Sequence, residues 1–258
     1  MQAQELDALR PAEGESLVFD TNPVLNERPT HYCPGCHHGI AHRLIAEVVD
    51  ELGWSSRTIG ATSVGCSAFI SDYIAYDWSE SPHGRACAEA TGIKRARPDR
   101  LVLTYQGDGD LAAIGTAETI HACNRGENIA IIFINNGIYG MTGGQMAPTT
   151  LKGMKSSTSP NGREIPLAGH PLNITELLAK LDGTCYVTRQ AVHTVASVKK
   201  CKRAIQKALE NSMENKGTSI VEIVSTCSSG WKMNPAESND WMVENMFPEY
   251  PMGDLKNI

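Results

Sequence analysis

The feature that most constrains this chain is a largely apolar segment, residues 101–106, that leads directly into Gly107-Asp108-Gly109-Asp110. This segment is predicted to be a buried strand. Residues 111–124 then read as a helix ended by Gly126, and residues 129–134 read as a second strand. The order predicts a βαβ unit, in which the two strands are almost always parallel.

Both predicted strands end on polar residues that suit a metal ion. Asp108 follows the first strand and Asn136 follows the second, so both are expected at the same edge of the sheet. Mg²⁺ prefers hard oxygen ligands and usually keeps phosphate oxygens among them. Gly107 and Gly109 let the backbone approach a phosphate closely, and the following helix presents its first N–H groups. The layout therefore predicts a site for a diphosphate and Mg²⁺.

Two other interpretations of the same glycines are open. The spacing Gly107-x-Gly109-x-x-Ala112 also fits the dinucleotide fingerprint of a Rossmann fold. That fingerprint needs an acidic residue at the end of the second strand, whereas this strand ends on Asn135-Asn136. In the other interpretation the glycines only make a tight turn between a strand and a helix, and the paired asparagines disfavour it.

The combination of Gly107-Asp108-Gly109 with Asn135-Asn136 resembles the signature of thiamine diphosphate enzymes. The continuation Ile138-Tyr-Gly-Met-Thr-Gly-Gly-Gln145 resembles the β subunits of 2-oxoacid:ferredoxin oxidoreductases, and the resemblance extends over residues 31–231. It implies an α/β fold that binds thiamine diphosphate, with a mostly parallel sheet and helices on both faces.

The resemblance also implies how the cofactor is held. Asp108, Asn136 and the carbonyl of Ile138 would ligate Mg²⁺, and residues 142–145 would lie beside the diphosphate and the substrate. The cofactor contacts that it implies are Gly65, Cys66, Ser67, Gly107, Asp108, Gly109, Asp110, Asn136, Ile138, Tyr139, Gly140, Met141 and Thr142.

Cysteines form the second constellation of the sequence. The chain has eight of them and no secretory leader is recognised, so metal or redox use is favoured over disulfides. Cys33-Pro-Gly-Cys36 opens a predicted helix that Gly53 stops. A lone Cys-x-x-Cys pair fits zinc, an iron–sulfur cluster or a redox dithiol. Zinc would have to recruit His37, His38 or His42, which are awkwardly placed for a tetrahedron with the two cysteines.

The family resemblance supplies the other two cysteine ligands. It identifies Cys66 and Cys227 as partners of Cys33 and Cys36 around a [4Fe–4S] cluster, which needs four thiolates. It also places the loop that carries Cys66 between the diphosphate and the cluster. The remaining cysteines are expected to be small buried hydrophobic residues; they are Cys87, Cys123, Cys185 and Cys201.

The resemblance implies a catalytic subunit that needs partners. The reaction would be the coenzyme A-dependent oxidative decarboxylation of a 2-oxoacid to acyl-CoA and CO₂, with ferredoxin as the electron acceptor. A chain of 258 residues has no room for the domain that holds the aminopyrimidine ring. An α subunit is expected to supply that domain and the activating glutamate, and γ and ferredoxin-like δ subunits are expected as well.

The substrate is predicted from what the sequence lacks. Relatives that accept acidic oxoacids often carry a basic residue shortly after the third cluster cysteine or in the glycine loop, whereas this chain has Phe69 and Gly143. A pocket lined by Phe69 and Met141 suits a branched-chain oxoacid such as 2-oxoisovalerate, because an unpaired distal carboxylate would be costly to bury. The alternative substrate is 2-oxoglutarate. His83 is expected to contact cofactor or substrate, or to be an ordinary loop histidine.

Other parts of the chain carry simpler expectations. Residues 1–30 read as an arm, 31–230 as the cofactor domain, and 231–258 as a tail too irregular for a strand that packs on a partner subunit. The histidines His31, His37, His38 and His42 are expected to be cap or surface residues. The basic residues Lys94, Arg95, Arg97 and Arg100 are expected to form a solvated face.

Composition excludes some function classes. A net charge of −6 argues against a nucleic-acid partner, and no apolar stretch is long enough to span a membrane, so a cytoplasmic location is expected. The rival function is a non-catalytic iron–sulfur or zinc subunit with a degenerate nucleotide-like fold. Such a subunit has no need of the matched pair Asp108 and Asn136.

Overall fold

The computed structural model describes residues 14–16 and 20–258, so much of the predicted arm lies outside the described residues. The last residues of that arm pack against the rest of the protein. Val24 is buried, its carbonyl accepts a hydrogen bond of 2.8 Å from the Ala75 amide, and Leu25 forms a β-bridge with Ile74.

The described residues contain a seven-stranded sheet in the order β2-β1-β3-β4-β8-β7-β9 and a separate two-stranded sheet of β5 and β6. In the large sheet all neighbouring strands are parallel except β9, which is antiparallel to β7. The strands are β1 (Thr58–Thr62), β2 (Asp77–Glu80), β3 (Leu101–Gly107), β4 (Ala130–Asn135), β5 (Ile138–Tyr139), β6 (Gln145–Met146), β7 (Thr184–Ala191), β8 (Thr218–Val224) and β9 (Gly253–Asn257).

Helices cover both faces of the large sheet, as the family resemblance implied. The α-helices of the described residues are α1 (His38–Glu51), α2 (Ala86–Ala96), α3 (Thr116–Arg125), α4 (Ile165–Ala168), α5 (Ile174–Ala179), α6 (Val195–Met213), α7 (Ser228–Trp231), α8 (Pro235–Trp241) and α9 (Phe247–Glu249). Helices α1 and α6 share one hydrophobic cluster with the sheet, and α2, α3 and α5 share another. The predicted fold class is therefore confirmed.

Strand β4 shows why the sequence pattern identified a buried strand. Ile132 and Ile134 point into the cluster beneath α1 and α6, whereas Ile131 and Phe133 point into the opposite cluster. A parallel strand covered on both faces needs apolar residues at every position, so it appears in the sequence as a continuous apolar run.

The helix predicted over residues 111–124 is divided in two. A π-helical turn, Asp110–Ile114, precedes α3, and the two meet at Gly115. A Cβ atom at Gly115 would lie 2.4 Å from the carbonyl oxygen of Asp110 and 2.8 Å from that of Gly84, so the incoming loop at Gly84 approaches too closely for a side chain. The predicted stop at Gly126 is confirmed, since this residue caps α3 in a left-handed conformation.

The expectation that the tail is too irregular for a strand is wrong. Residues Gly253–Asn257 form β9, which closes the edge of the sheet beside β7. Met242, Met246 and Tyr250 are fully buried in a cluster that also contains Ile138. Because these apolar residues recur every fourth position, they form one helical face that packs on the chain's own domain. Contact of the tail with a partner subunit stays a prediction.

The sheet topology creates a crevice between β1 and β3. These strands are neighbours, but the chain leaves β1 towards β2 on one side and leaves β3 towards β4 on the other. The loops therefore diverge at the carboxyl ends of the two strands, and ligands of open α/β sheets bind in such a crevice. None of the described helices is long and apolar enough to cross a membrane.

Candidate active site and cysteine cavity

A cleft of about 210 Å³ lies at this crevice, at the carboxyl edge of the sheet. Its walls come from the loops that follow β1, β2, β3 and β4, together with the first residue of α1. The lining residues are His38, Val64, Gly65, Cys66, His83, Gly107, Asp108, Gly109, Asp110, Asn136, Ile138, Tyr139, Gly140, Met141 and Thr142. The structure thus brings together nearly all of the predicted cofactor contacts.

Asp108 is the buried carboxylate of the cleft. Its Oδ1 accepts a hydrogen bond of 2.9 Å from the Gly109 amide. Its Oδ2 accepts bonds of 3.2 Å from the Ile138 amide and 2.8 Å from the Thr149 hydroxyl. Burial nevertheless raises the pKa of Asp108 to about 7, because removal from water disfavours the charged carboxylate. A bound divalent cation would favour the charged form.

Asn136 lies opposite Asp108 across the same amide. The Ile138 N–H is 3.2 Å from Oδ1 of Asn136 and 3.2 Å from Oδ2 of Asp108, so both side-chain oxygens converge on one point. The backbone carbonyl of Asn136 accepts a 3.1 Å hydrogen bond from the indole of Trp231. The predicted pairing of carboxylate and amide oxygens at matched strand ends is therefore present in the fold.

Asp110 holds the loop that carries His83 and Gly84 at one side of the cleft. Its carboxylate accepts hydrogen bonds from the Gly84 amide and, at 2.6 Å, from Nε2 of Gln106. Nδ1 of His83 lies 3.2 Å from Oδ1 of Asp110 but lacks hydrogen-bond geometry. The structure therefore places His83 in the cleft wall.

The four predicted cluster cysteines line one cavity of about 230 Å³ next to the cleft; they are Cys33, Cys36, Cys66 and Cys227. Cys227 is buried and Cys33 is exposed. Burial raises the pKa of Cys36 to about 11 and that of Cys227 to about 12, because removal from water disfavours a charged thiolate. The donor set fits an iron–sulfur cluster.

Zinc and an iron–sulfur cluster require different arrangements of the four cysteines. Four zinc-bound thiolates would each lie about 2.3 Å from one point. Among the residues that the structure describes, no three His, Cys, Asp or Glu side chains are close enough to hold one metal ion. In a [4Fe–4S] cluster each thiolate binds a different iron, which suits thiols spread around a cavity.

The cleft and the cysteine cavity share a wall. The residues that line both of them are His38, Cys66, Asn136, Gly140 and Met141. A Cβ atom at Gly140 would lie 2.8 Å from the Cys227 sulfur, so the glycine lets the cofactor loop lie directly against this thiol. Cys66 therefore borders both cavities, and the position of its loop between a diphosphate and a cluster stays a prediction.

Nothing in the sequence indicated that His38 lines the cleft, and the expectation of cap or surface histidines is wrong for His38 and His42. His37, His38 and His42 are all buried, although His37 does occupy the N-cap of α1. Nδ1 of His38 lies 2.6 Å from the Tyr105 hydroxyl, and the ring of Tyr32 stacks on it. Burial lowers the pKa of His38 to about 3, which keeps its imidazole neutral.

Two predicted contacts lie outside the lining of the cleft. Phe69 is 44% exposed, and its ring centre is 4.8 Å from that of His31, in an edge contact. The expected pocket wall of Phe69 and Met141 is therefore represented in the cleft by Met141 alone. Ser67 is fully buried, and its carbonyl accepts a 3.0 Å hydrogen bond from the Thr62 hydroxyl. Ser67 therefore takes part in the hydrogen bonding of the loop and does not line the cleft.

The predicted basic face is largely neutralised. Lys94 is buried, with its ammonium donating to the carbonyls of Pro98 and Arg100 at 3.2 and 2.7 Å. Arg97 pairs with Asp99 at 3.0 Å. The expectation of a solvated face is therefore wrong for Lys94, because its ammonium folds back onto these two carbonyls of the turn that follows α2.

The buried cysteines behave as expected. Cys87, Cys123, Cys185 and Cys201 are all buried, and the Cys87 thiol donates to Oε1 of Gln106 at 3.2 Å.

Comparison with known proteins connects this geometry to a family. The family model described as "Thiamine pyrophosphate enzyme, C-terminal TPP binding domain" matches residues 59–223. The chain is 45% identical over 249 residues to ketoisovalerate oxidoreductase subunit VorA of Methanothermobacter marburgensis, covering 96% of this chain and 52% of that protein. The chain thus spans about half the length of that relative.

Two further comparisons involve proteins named for 2-oxoglutarate. The chain is 38% identical over 217 residues to 2-oxoglutarate synthase subunit KorB of Archaeoglobus fulgidus, covering 84% of this chain and 77% of that protein. The solved 2-oxoglutarate:ferredoxin oxidoreductase from Magnetococcus marinus, with 2-oxoglutarate, coenzyme A and succinyl-CoA bound, superimposes with a TM-score of 0.75 at 26% identity. The match covers 93% of this chain and 86% of that one.

Proposed function

Since the chain belongs to the thiamine pyrophosphate enzymes, and within them to the subunits of 2-oxoacid:ferredoxin oxidoreductases, we propose that it holds the cofactor's diphosphate in such an enzyme. The observation that carries the proposal is the convergence of Asp108 and Asn136 on the amide of Ile138. These two oxygens and the Ile138 carbonyl would hold Mg²⁺, which prefers oxygen ligands. Gly107 supports this role, since a Cβ atom there would meet only open space.

The second part of the proposal is a [4Fe–4S] cluster held by Cys33, Cys36, Cys66 and Cys227. Bound thiamine diphosphate would supply the carbanion chemistry of 2-oxoacid decarboxylation, and the cluster would accept electrons one at a time. The shared wall of the two cavities supports this pairing, because Cys66 borders both. Ferredoxin would be the final electron acceptor, and coenzyme A would take the acyl group.

The proposed enzyme needs polypeptide beyond the residues that form this cleft. Among the described residues no glutamate lines the cleft, so none is placed to activate the cofactor ring. We assign that glutamate and the aminopyrimidine side to an α-type subunit, with γ and ferredoxin-like δ subunits completing the complex. His83, Met141 and Thr142 are then the residues of this chain that face the substrate.

For the substrate we favour 2-oxoisovalerate. Among the described residues no lysine or arginine lines the cleft, so it offers a distal carboxylate no cation. Met141 contributes an apolar side chain that suits a branched alkyl group. The 45% identity to a ketoisovalerate oxidoreductase subunit supports this choice. The alternative, 2-oxoglutarate, is favoured by the resemblance to KorB proteins and requires that a partner supply the cation.

The decisive experiment is anaerobic purification of the chain with its co-purifying partners, followed by assays of iron, sulfide and thiamine diphosphate. We expect about four irons and about one thiamine diphosphate per chain. Iron without the cofactor would indicate an electron-transfer subunit, and zinc with neither would overturn the proposal. Comparable turnover of 2-oxoglutarate and 2-oxoisovalerate by the purified complex would remove the assignment to a branched-chain substrate.

A further inference from the structure

A buried ion pair lies in the sheet behind the magnesium-ligand loops. Arg189 of β7 and Glu222 of β8 face each other in register, with Nε and Oε2 2.7 Å apart. Their side chains are 0% and 1% exposed. Burying two charges is costly, and a hydrophobic pair would fill such a position at similar stability. The contacts of this pair with the rest of the fold suggest what it does.

Glu222 reaches the loop that carries Asn136. Its Oε1 accepts a 2.7 Å hydrogen bond from Nδ2 of Asn135, and Oδ1 of Asn135 accepts one of 3.2 Å from the Gly137 amide. These two bonds hold the backbone on both sides of Asn136. Asn136 is thereby held between two residues whose positions these bonds fix.

Arg189 reaches the other magnesium-ligand loop through the C-terminal segment. Its guanidinium carbon lies 5.4 Å from the ring centre of Tyr250, and its Nη1 donates to the carbonyl of Pro251 at 3.1 Å. The fully buried Tyr250 donates its hydroxyl to the Thr149 carbonyl at 2.6 Å. Thr149 in turn donates its own hydroxyl to Oδ2 of Asp108.

We propose that Arg189, Glu222 and Tyr250 are positioning residues of the magnesium site, joining Asp108 and Asn136 through one buried network. The inference rests on the proposed function, since it concerns the same ion. It assigns the C-terminal segment a part in cofactor binding, because Tyr250 orients the residue that holds the Asp108 carboxylate. Outer partners of metal ligands commonly change metal affinity by about 10- to 100-fold, and a contact one step further out is expected to do less.

The test uses the complex purified with its partners, freed of Mg²⁺ by dialysis against EDTA and titrated calorimetrically with Mg²⁺ at saturating thiamine diphosphate. Tyr250→Phe removes one hydroxyl and keeps the ring on Arg189. We expect its Mg²⁺ dissociation constant to rise about fivefold, the size of one ordinary hydrogen bond. The matched control is Tyr186→Phe, which removes a 3.2 Å bond to Asp254 between β7 and the same C-terminal segment. That variant should bind Mg²⁺ as the unmodified protein does.

The outcomes separate the inference from the proposed function. Equal Mg²⁺ affinity of Tyr250→Phe and Tyr186→Phe, whatever their melting temperatures, would overturn the positioning role. If Tyr250→Phe fails to fold, Asn135→Ala tests the same network through Glu222, and unchanged affinity there would overturn it equally. If the unmodified protein binds neither Mg²⁺ nor thiamine diphosphate, the proposed function fails and this inference fails with it.

Discussion

The hydroxyl of Thr149 donates a 2.8 Å hydrogen bond to Oδ2 of Asp108, across 41 positions of sequence. The loop that carries Thr149 is held by the buried guanidinium of Arg163, which donates to the carbonyls of Pro148 and Thr150 at 2.8 and 2.9 Å. Both neighbours of Thr149 are thus fixed in place. The proposed magnesium ligand therefore depends on a threonine that no sequence motif identifies.

Thr149→Val tests this dependence. Valine keeps the shape of the side chain but cannot donate to Asp108, so the carboxylate loses one of the bonds that orient it. We expect the dissociation constant for thiamine diphosphate and Mg²⁺ to rise about 10-fold, as is usual for the outer partner of a metal ligand. Calorimetric titration of the purified complex measures this change. Thr149→Ser keeps the hydroxyl and should restore most of the affinity; equal weakening by serine and valine would rule out the hydrogen bond as the cause.

Asp108→Ala separates the proposed enzyme from a non-catalytic iron–sulfur subunit. Without its carboxylate the cleft loses one of the two side-chain oxygens that converge on the Ile138 amide, so thiamine diphosphate should be lost on gel filtration. The cysteine cavity has separate walls at Cys33 and Cys227, so iron and sulfide should remain. Retention of the cofactor at the level of the unmodified protein would show that Asp108 is not a magnesium ligand.

Cys66→Ser and Cys201→Ala test the predicted cluster ligands against a matched cysteine. Cys66 lines the cavity, whereas Cys201 is buried in α6, away from it. Serine is a poor ligand for iron, so Cys66→Ser should lower iron and sulfide content and the visible absorption of the anaerobic protein. Cys201→Ala should keep the full cluster at a modest cost in stability, because only a small buried group is removed. Equal iron content in the two variants would contradict the assignment of Cys66.

The site residues that could be predicted are those placed by a local sequence pattern, and the residues placed by contacts distant in sequence could not. Asp108 and Asn136 end buried parallel strands, so an apolar run followed by a polar residue located both of them within a local pattern. Thr149, by contrast, lies in an irregular loop that long-range contacts with Arg163 and Tyr250 fix in space. His38 lies 67 positions from the Tyr105 hydroxyl that orients it. Such contacts depend on tertiary packing, which leaves no periodic trace in the sequence.

The spacing of apolar residues in the C-terminal segment is a sign of helical structure. Met242, Met246 and Tyr250 recur every fourth residue, which is the spacing of one helical face. The mixed composition of the segment led instead to the expectation of a tail too irregular for a strand. Strand β9 gave no such sign, because an edge strand with one solvated face needs few apolar residues.

Gly84→Ala tests the close approach of the His83 loop to the π-helical turn. Gly84 has φ +81°, and a Cβ atom there would lie 2.7 Å from Cγ2 of Ile114 and 2.8 Å from the Gly115 amide nitrogen. Alanine should therefore lower the free energy of unfolding by about 1–3 kcal/mol and weaken the bond from the Gly84 amide to Asp110.

Gly92→Ala is the matched control for Gly84→Ala. Gly92 lies in α2, and a Cβ atom there would meet nothing within 4 Å. Alanine is the better helix former, so this variant should gain about 0.5–1 kcal/mol in denaturant unfolding. If Gly84→Ala and Gly92→Ala shift the denaturant midpoint in the same direction, the close contacts at Gly84 do not destabilise the Gly84→Ala variant.

Met141→Arg tests the substrate assignment by adding the cation that the described cleft lining lacks. Met141 is 43% exposed, so an arginine there stays partly solvated, and its attraction for a distal carboxylate is reduced by water. We expect kcat/KM for 2-oxoglutarate relative to 2-oxoisovalerate to rise about three- to tenfold, with most of the change in KM. Leu177, on α5, is equally exposed at 43%, so Leu177→Arg adds the same charge outside the cleft lining and should leave the ratio unchanged. A ratio that responds equally to both arginines would reflect the net charge of the complex, and a ratio that responds to neither would mean that partner residues set the selectivity.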